Sequence, residues 1–358
     1  MIGARHRRRR WAPLATSARA NSCDEQDTAR SMEPRSPLQR ALPLRENRAH
    51  RQPAIHRQSS RTVHAALLRL FGRIMAALLG LTLGVLAFSL LSFWQATHPP
   101  RLVSAITPHA LGWPYEELQI TTGDGLRLAA WLVPAQEPSD QAIILLHGYP
   151  ADKGTLLGRA RFLYSRYHLL FLDFRAMGQS EGNYISFGYH ERKDVLAAID
   201  TLQQRGFHRI GLMGVSFGAV VALLTLPETS ALSAVVADSA WANLDAMGET
   251  YYGRTGLLRR PLTELTKLWG RLFYGVIAEE IAPERAVRGV RTPLLLLATR
   301  NDPLVRVEHV YRLQTALHGH PAAAVWIRER GGHLQGGGAE EQQRILQFFA
   351  RYLSGAAE

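Results

Sequence analysis

The chain has 358 residues, enough for one large domain or two ordinary ones, and a formal net charge of +12. Residues 1–73 hold 16 Arg or Lys against five Asp or Glu, whereas the other 285 residues hold 26 against 25. Because the body carries almost no net charge, the sequence gives no reason to expect nucleic acid as its partner.

Residues 1–73 are predicted to be a disordered basic tail, because they are rich in Arg, Pro and Ser and lack apolar periodicity. Three interpretations stay open. The tail binds nucleic acid or anionic lipid, it is a solvated cytoplasmic arm, or the true start lies near Val63 or Met75. The single cysteine, Cys23, lies in this tail, which leaves the body without disulfides or a thiol nucleophile.

Residues 74–94 predict a transmembrane anchor, because they form a run of 21 residues without a charge. At 1.5 Å per residue this run spans about 31 Å, and a hydrocarbon core is about 30 Å thick. Arg69 and Arg73 precede it and Trp94 ends it, so the positive-inside rule places the N-terminus in the cytoplasm and the catalytic domain outside. The alternative is a cleaved signal peptide, whose apolar core would be shorter.

Residues 95–115 contain several prolines and are predicted to be a linker, and 116–354 are predicted to be one folded α/β domain. The domain begins with a predicted hairpin of two strands, 117–122 and 127–133. Apolar strands then alternate with helices, which predicts a mostly parallel, doubly wound sheet with antiparallel pairing at one edge. The predicted strands are 142–146, 168–172, 209–213, 234–237, 293–298 and 324–328, and the predicted helices are 155–164, 189–205, 219–224, 307–317 and 339–352.

Residues 239–286 interrupt the alternation of strands and helices with a stretch that has helical propensity and many aromatic side chains. Ligands bind beyond the carboxyl ends of the strands in such sheets, so this insertion is predicted to be a lid over that edge. Its rings indicate either an apolar acyl or aromatic group in the substrate, or a core that belongs to the lid itself.

The stretch Gly214-Val215-Ser216-Phe217-Gly218 lies between a predicted strand and a predicted helix. A G-x-S-x-G turn in that position forces its serine into a strained backbone conformation and presents the hydroxyl at the positive end of the helix. Gly214 and Gly218 are required there because a Cβ atom at either position would collide with a neighbouring element. Ser216 is therefore the candidate nucleophile.

A serine hydroxyl needs a base, and the base needs an orienting carboxylate. Asp302 lies just beyond the strand 293–298, and His333 lies between glycine residues and the last helix, just beyond the strand 324–328. The order Ser216, Asp302, His333 is typical of this kind of sheet and predicts a catalytic triad. Asp238 and Asp245 are the competing carboxylates.

The oxyanion of a tetrahedral intermediate needs two hydrogen-bond donors. The backbone N–H of Phe217 and that of Tyr149, in the loop after the strand 142–146, are the candidates. Gly148 allows the backbone to approach the substrate closely, and His147 is interpreted as structural. No metal or cofactor is expected.

Several motifs together resemble the α/β-hydrolase superfamily, and within it the membrane-anchored, Bem46-like serine hydrolases. They are GVSFG, HGYPADKG, DFRAMGQSEG followed by SFGYHERKD, NDPLV and the GGH near the end, and the resemblance covers residues 115–354. It implies an α/β-hydrolase fold and an esterase-like mechanism on Ser216, His333 and Asp302. It also implies structural roles for Asp173, Arg175 and Glu191.

The expected function is a membrane-anchored serine hydrolase that cleaves an ester, thioester or amide bond of a small-molecule or lipid-like acyl substrate. A carboxylic ester is the first choice. An acyltransferase or a serine peptidase on the same triad stays open. A non-catalytic, membrane-anchored interaction protein on the same fold is the alternative from another class.

Overall fold

The computed structural model describes residues 56–336 and 338–354. Every contact described below lies within residues 66–354. This part of the chain is built around one sheet of eight strands. The strands are β1 (Glu116–Thr121), β2 (Arg127–Val133), β3 (Gln141–Leu146), β4 (His168–Leu172), β5 (Arg209–Val215), β6 (Leu232–Asp238), β7 (Leu294–Thr299) and β8 (Ala323–Arg328).

The strand order in the sheet is β1-β2-β4-β3-β5-β6-β7-β8. β2 pairs antiparallel with both β1 and β4, while every other neighbouring pair is parallel. The predicted mostly parallel sheet with antiparallel pairing at one edge is thus confirmed. The central strands are buried on both faces, so β5 is a nearly continuous apolar run with no polar alternation.

Helices cover both faces of the sheet. Alternate residues of β3 point to opposite sides. Ile144 and Leu146 belong to a buried cluster with residues of the helices Arg192–Gln204, Phe217–Thr225 and Glu308–Ala316, whereas Ile143 and Leu145 belong to a second cluster with residues of Leu157–Ala160 and Gly338–Leu353. The doubly wound arrangement predicted from the sequence is therefore confirmed. The α-helices of the described residues are α1 (His56–Thr97), α2 (Leu157–Ala160), α3 (Arg192–Gln204), α4 (Phe217–Thr225), α5 (Leu244–Tyr251), α6 (Arg259–Tyr274), α7 (Pro283–Ala286), α8 (Glu308–Ala316) and α9 (Gly338–Leu353).

Two predicted helices differ from the observed ones. The helix expected over 155–164 is one turn of α-helix between two 3₁₀ turns, since Gly158 weakens it and Asp173 accepts the N–H of Lys153 at 2.7 Å. The helix expected over 189–205 begins three residues later, at Arg192. Phe187 and Gly188 have positive φ there, and the carboxylate of Glu191 binds the N–H of Gly188 at 2.8 Å.

Helix α1 is longer than the predicted 74–94 anchor at both ends. It includes residues 56–73, which the sequence had placed in the disordered tail, and the first residues of the predicted 95–115 linker. The reason is that good helix formers precede the anchor, and the prolines Pro99 and Pro100 are the first helix breakers after it. Residues 1–55 of the predicted tail lie outside the described residues. Over Thr62–Thr97 the helix is long and apolar enough to cross a membrane.

Residues 239–286 form the helices α5, α6 and α7, joined by 3₁₀ turns, and connect β6 to β7. The segment is helical, as the sequence predicts. It is anchored at its start by the N–H of Ala242, which donates to Nδ1 of His309 on α8 at 3.1 Å. We call α5, α6 and the turn between them the lid.

Candidate active site

The sharp turn between β5 and α4 carries Ser216. Its backbone has φ 53° and ψ −116°, a region that costs a non-glycine residue of the order of 1–3 kcal/mol. Hydrogen bonds hold it there: the N–H of Ser216 donates to the carbonyl oxygen of Asp238 at 2.7 Å, and Ala219 and Val220 donate to the carbonyl oxygen of Ser216. The turn thus has the strained geometry predicted from the sequence.

The two glycines of this turn are required by close packing. A Cβ atom on Gly214 would lie 2.3 Å from the carbonyl oxygen of Gly218, and one on Gly218 would lie 2.4 Å from that of Leu146. Gly148 is less constrained, because its Cβ would lie 3.3 Å from the Cβ of Ser216. Larger residues at Gly214 or Gly218 would therefore displace the serine or the neighbouring strand β3.

His333 lies between Ser216 and Asp302. Its Nε2 is 2.9 Å from Oγ of Ser216, and its Nδ1 is 2.7 Å from Oδ2 of Asp302. Ser216 follows β5, Asp302 follows β7 and His333 follows β8, so loops at one edge of the sheet supply all three. The geometry fits a neutral imidazole whose Nδ1–H donates to the carboxylate while Nε2 accepts from the hydroxyl.

The carboxylate of Asp302 is fixed by its own loop. Its Oδ1 accepts the backbone N–H groups of Leu304 at 2.8 Å and Val305 at 2.9 Å. Burial acts to raise the pKa of Asp302, but the hydrogen bond from His333 and the two N–H donors outweigh burial and hold that pKa below its usual value. Asp302 is therefore ionised at neutral pH and can orient the imidazole.

The two competing carboxylates have other partners. Asp238 is fully buried and forms ion pairs with Arg159 and Arg328, and the exposed Asp245 forms one with Lys267 at 2.8 Å. Within the described part of the chain, neither carboxylate contacts His333. Of the carboxylates considered from the sequence, the structure brings only Asp302 to the histidine.

A buried charge cluster next to the histidine loop was missed by sequence reasoning. It consists of Arg159, Asp238, Arg328 and Glu341, in which Arg328 pairs with Glu341 at 2.7 Å. Arg159 also donates to the carbonyl oxygen of Leu334 at 2.8 Å, directly after His333 in the chain. The signal in the sequence was an arginine at the end of the apolar strand β8, where a charge must be paired to be buried.

The two predicted oxyanion donors lie at the same edge of the sheet as Ser216. Phe217 is the first residue of α4, where a helix leaves its N–H groups without an intrahelical acceptor. Among the described residues, no acceptor is found for the N–H of Phe217 or for that of Tyr149. Gly148 lies against Ser216 and brings the Tyr149 loop next to the serine. Both N–H groups are thus free to bind a ligand oxygen.

The loop after β3 is braced from below by buried polar side chains. Asp173 binds both the backbone N–H and the Nζ of Lys153, at 2.7 and 2.6 Å. His147 is fully buried, its Nδ1 lies 2.8 Å from the carbonyl oxygen of Gly148, and its Nε2 accepts the N–H of Phe174. Burial lowers the pKa of His147, which keeps its imidazole neutral. These contacts hold the loop after β3 in place.

Two further polar residues brace the loop after β4. The guanidinium of Arg175 forms ion pairs with Asp194 at 2.6 Å and Asp124 at 2.9 Å, and joins the hairpin to α3. The carboxylate of Glu191 accepts the N–H groups of Ser186 and Gly188. Arg175 and Glu191 thus fix loops and do not line the cavity described next.

A cavity of about 250 Å³ opens at Ser216 and His333. Its walls are mainly apolar and come from the lid, through residues such as Met247 and Tyr251, and from the loop after β7. Phe93 and Ala96, in the last two turns of α1, also line it. Sequence reasoning missed this contribution, because it treated the apolar helix as an anchor separate from the site.

Residues 113–272 match the family model of the X-Pro dipeptidyl-peptidases (S15 family). Esterase Pf2001 from Pyrococcus furiosus has a similar structure, with a TM-score of 0.61 and 30% sequence identity over 72% of this chain and 99% of the esterase. The S15 match includes the turn that carries Ser216 and part of the lid, and the similarity to the esterase extends over nearly the whole chain of the esterase.

Two curated proteins are also similar in sequence. YqkD of Bacillus subtilis (strain 168) is 28% identical over 205 residues, which are 56% of this chain and 67% of YqkD. The alpha/beta hydrolase domain-containing protein WAV2 of Arabidopsis thaliana is 25% identical over 259 residues, 69% of this chain and 82% of WAV2. Together with the sheet order and the strained serine turn, these similarities identify the chain as a hydrolase that belongs to the α/β-hydrolase superfamily.

Proposed function

We propose that this protein is a membrane-anchored serine hydrolase that cleaves carboxylic esters through an acyl-enzyme. The observation that carries the proposal is the hydrogen-bonded chain from Ser216 through His333 to Asp302, with distances of 2.9 and 2.7 Å. A serine hydroxyl becomes nucleophilic when a base takes its proton, and the base works when a carboxylate fixes its tautomer.

In the first half of the reaction, Oγ of Ser216 attacks the ester carbonyl carbon while Nε2 of His333 takes the hydroxyl proton. The ionised Asp302 stabilises the imidazolium that forms. The imidazolium then gives its proton to the leaving alcohol oxygen as the carbon–oxygen bond breaks. The acyl group stays on Ser216.

In the second half, His333 removes a proton from a water molecule, whose oxygen attacks the acyl carbon. When the tetrahedral intermediate collapses, Oγ of Ser216 leaves and takes back the proton from His333, and the carboxylic acid is released. In both halves the N–H groups of Phe217 and Tyr149 donate to the oxyanion. Preorganised donors of this kind contribute roughly 10²–10³-fold each to kcat.

The apolar cavity walls support an acyl group as the part of the substrate that binds beside Ser216. An ester is the first choice because esterase Pf2001 is 30% identical to this chain. The S15 family match makes an amide or peptide bond the second choice. Transfer of the acyl group to an acceptor other than water uses the same acyl-enzyme, as does cleavage of a thioester.

Membrane anchoring by α1 is supported by its length and composition over Thr62–Thr97. Arg69 and Arg73 near its beginning favour a cytoplasmic N-terminus and an extracytoplasmic catalytic domain. An apolar helix followed by a triad-bearing domain also supports the finer assignment to the membrane-anchored, Bem46-like group.

The catalytic proposal is tested by labelling the full chain, in detergent, with a fluorophosphonate probe that reacts with activated serines. Wild type and Ser230→Ala, a matched change at an exposed serine, should be labelled, whereas Ser216→Ala should not. A folded wild-type protein that stays unlabelled, or equal labelling of Ser216→Ala, would contradict the proposal. The first of these outcomes would favour a non-catalytic interaction protein on this fold.

The topology is tested with Cys23, the single cysteine of the chain. A membrane-impermeant maleimide should modify Cys23 in inside-out vesicles and leave it unmodified in intact cells. Modification in intact cells would place the N-terminus outside and reverse the proposed orientation. A Cys23→Ser variant controls for labelling of other proteins in the membrane.

A further inference from the structure

The last turns of α1 are attached to the lid by side-chain contacts. Oγ of Ser89 accepts the indole N–H of Trp269 at 3.1 Å, and Oγ1 of Thr97 lies 3.1 Å from the hydroxyl of Tyr274. Both Ser89 and Thr97 are fully buried, in contrast to most of the helix before them. The end of α1 is therefore part of the folded domain.

Phe93 is the centre of this attachment. It is fully buried, and its ring lies against those of Phe273 and Tyr274 on α6 and of Phe187 in the loop before α3, with centroids 5.4–6.4 Å apart. Aromatic pairs at such distances stabilise packing beyond the area they bury. Phe93 also lines the cavity that opens at Ser216. One residue of the candidate membrane helix thus both holds the lid and shapes the site.

The outer surface of the lid exposes apolar side chains. Leu268 and Leu272 are exposed on α6, and Leu257, in the turn before it, is 98% exposed. The exposed residues Leu91 and Trp94 on α1 belong to the helix to which α6 is attached. A large group of exposed apolar side chains marks an interaction surface. Because this surface is continuous with a helix that can cross a membrane, we infer that lipid covers it.

Basic side chains accompany this apolar surface. Arg260 and Arg271 are exposed on α6, and Arg254 is exposed in the turn before it. Helices that lie in a membrane interface combine leucine and aromatic residues with arginine and lysine on the polar side. The lid therefore has the composition of an element that rests on the same bilayer that α1 crosses.

Resting on the proposed function, we propose that the end of α1 forms part of the acyl-binding wall and that the substrate is an acyl ester held in the bilayer. The acyl chain then reaches the cavity at Ser216 from the lipid, and Phe93 and Ala96, which line that cavity, limit its length. The membrane helix is in this way a specificity element of the enzyme as well as its anchor.

Acyl selection is tested with full-length protein in detergent and 4-nitrophenyl esters of butyrate, octanoate and laurate. Phe93→Leu removes ring volume from the wall and should raise the laurate-to-butyrate ratio of kcat/KM. The expected rise is roughly 10-fold, because one methylene more or less in an apolar pocket changes kcat/KM by about that factor or more. Ala96→Leu adds volume and should lower that ratio. Leu91→Ala, on the exposed side of the same helix, is the matched control and should leave the ratio unchanged.

The bilayer route is tested with 4-methylumbelliferyl oleate in phosphatidylcholine vesicles. At equal total amounts of ester and protein, hydrolysis should be several-fold faster when the two are in the same vesicles than when they are in separate vesicles. Equal rates would overturn the bilayer source, and an unchanged ratio in both Phe93→Leu and Ala96→Leu would overturn the wall. Fluorophosphonate labelling of wild type in detergent separates these failures from failure of the triad, because it reports on Ser216 and needs neither lipid vesicles nor a long acyl chain.

Discussion

The neighbouring strands β6 and β7 each have an aspartate at their carboxyl end, and the two aspartates have different partners. Asp238 ends β6 and Asp302 follows β7, and both carboxylates are buried near the histidine loop. Asp238 faces two arginines, whereas Asp302 faces His333. Burial and strand position are therefore shared, and the partner is what differs.

The partner decides what the carboxylate can do. A guanidinium is always charged in a protein, so the pairs of Asp238 with Arg159 and Arg328 are fixed charges that join β6 to α2 and to β8. An imidazole gains and loses a proton near neutral pH, so the carboxylate beside it can stabilise a charge that exists only during the reaction. The comparison predicts that Asp302 controls rate and Asp238 controls stability.

The largest effect that sharpens this comparison is expected from Asp302→Asn. The amide oxygen can still accept the N–H groups of Leu304 and Val305, but the amide no longer stabilises the imidazolium. We expect kcat/KM for an ester to fall by about 10⁴-fold, with thermal unfolding changed little. Ester hydrolysis and a thermal melt, measured on one preparation, check both parts. A variant that keeps most of its activity would remove Asp302 from the triad.

The next largest effect is expected from Asp238→Asn, which removes the negative charge that the buried Arg328 and the partly buried Arg159 both pair with. Breaking such a cluster costs about 3 kcal/mol, which lowers the Tm by roughly 6–12 °C. Fluorophosphonate labelling of Ser216 below the new Tm should stay within a few-fold of wild type. A 10⁴-fold loss of activity without a change in Tm would reverse the roles assigned to Asp238 and Asp302.

A pH effect extends the comparison to a second histidine, His309, which is buried and accepts the N–H of Ala242 at the start of the lid. Burial, with the charge of Arg312, lowers the pKa of His309 to about 4. The unfolded chain, with a pKa of about 6.5, binds more protons between these values, so stability is full above pH 6.5 and falls as the pH drops towards 4.

The expected loss from His309 is up to about 3 kcal/mol over that interval. His309→Asn keeps an acceptor for Ala242 without a titrating group, and its unfolding free energy should depend less steeply on pH than that of wild type. Urea unfolding at pH 4, 5, 6 and 7 checks this. Parallel pH profiles for the two proteins would show that His309 contributes nothing.

The smallest effect is expected from Asp245→Asn, the matched control for both buried carboxylates. Asp245 is exposed and its pair with Lys267 is open to solvent on the carboxylate side. Exposed pairs contribute about 0–1 kcal/mol, so activity and Tm should stay near wild type. A loss as large as that of Asp302→Asn would mean that Asp245, the other candidate from the sequence, takes part in the site.

The sequence predicted those parts of the molecule that have local signals. Gly214 and Gly218 stand within one turn of Ser216, and their requirement follows from the turn itself. The apolar runs that became β3 to β7 also identify themselves, because strands buried on both faces carry few polar residues. The order of Ser216, Asp302 and His333 follows from strands whose carboxyl ends meet at one edge.

Contacts between distant segments had no such signal. The pair of Ser89 and Trp269 joins residues 180 positions apart, and neither residue is unusual in its own stretch. The wall that Phe93 adds to the cavity depends on that packing, so it could not be predicted from an apolar run. The broken helix around Gly158 likewise depends on Asp173, whose carboxylate accepts the backbone N–H of Lys153 from another part of the chain.

The central claim is that Ser216 carries the acyl group during turnover. It is tested most directly by stopping the reaction of the full-length protein with 4-nitrophenyl octanoate in acid and locating the added mass by peptide mass spectrometry. We expect an octanoyl group on Ser216 in wild type and none in Ser216→Ala. Turnover with the octanoyl group on another residue, or with no acylated serine at any time point, would contradict it.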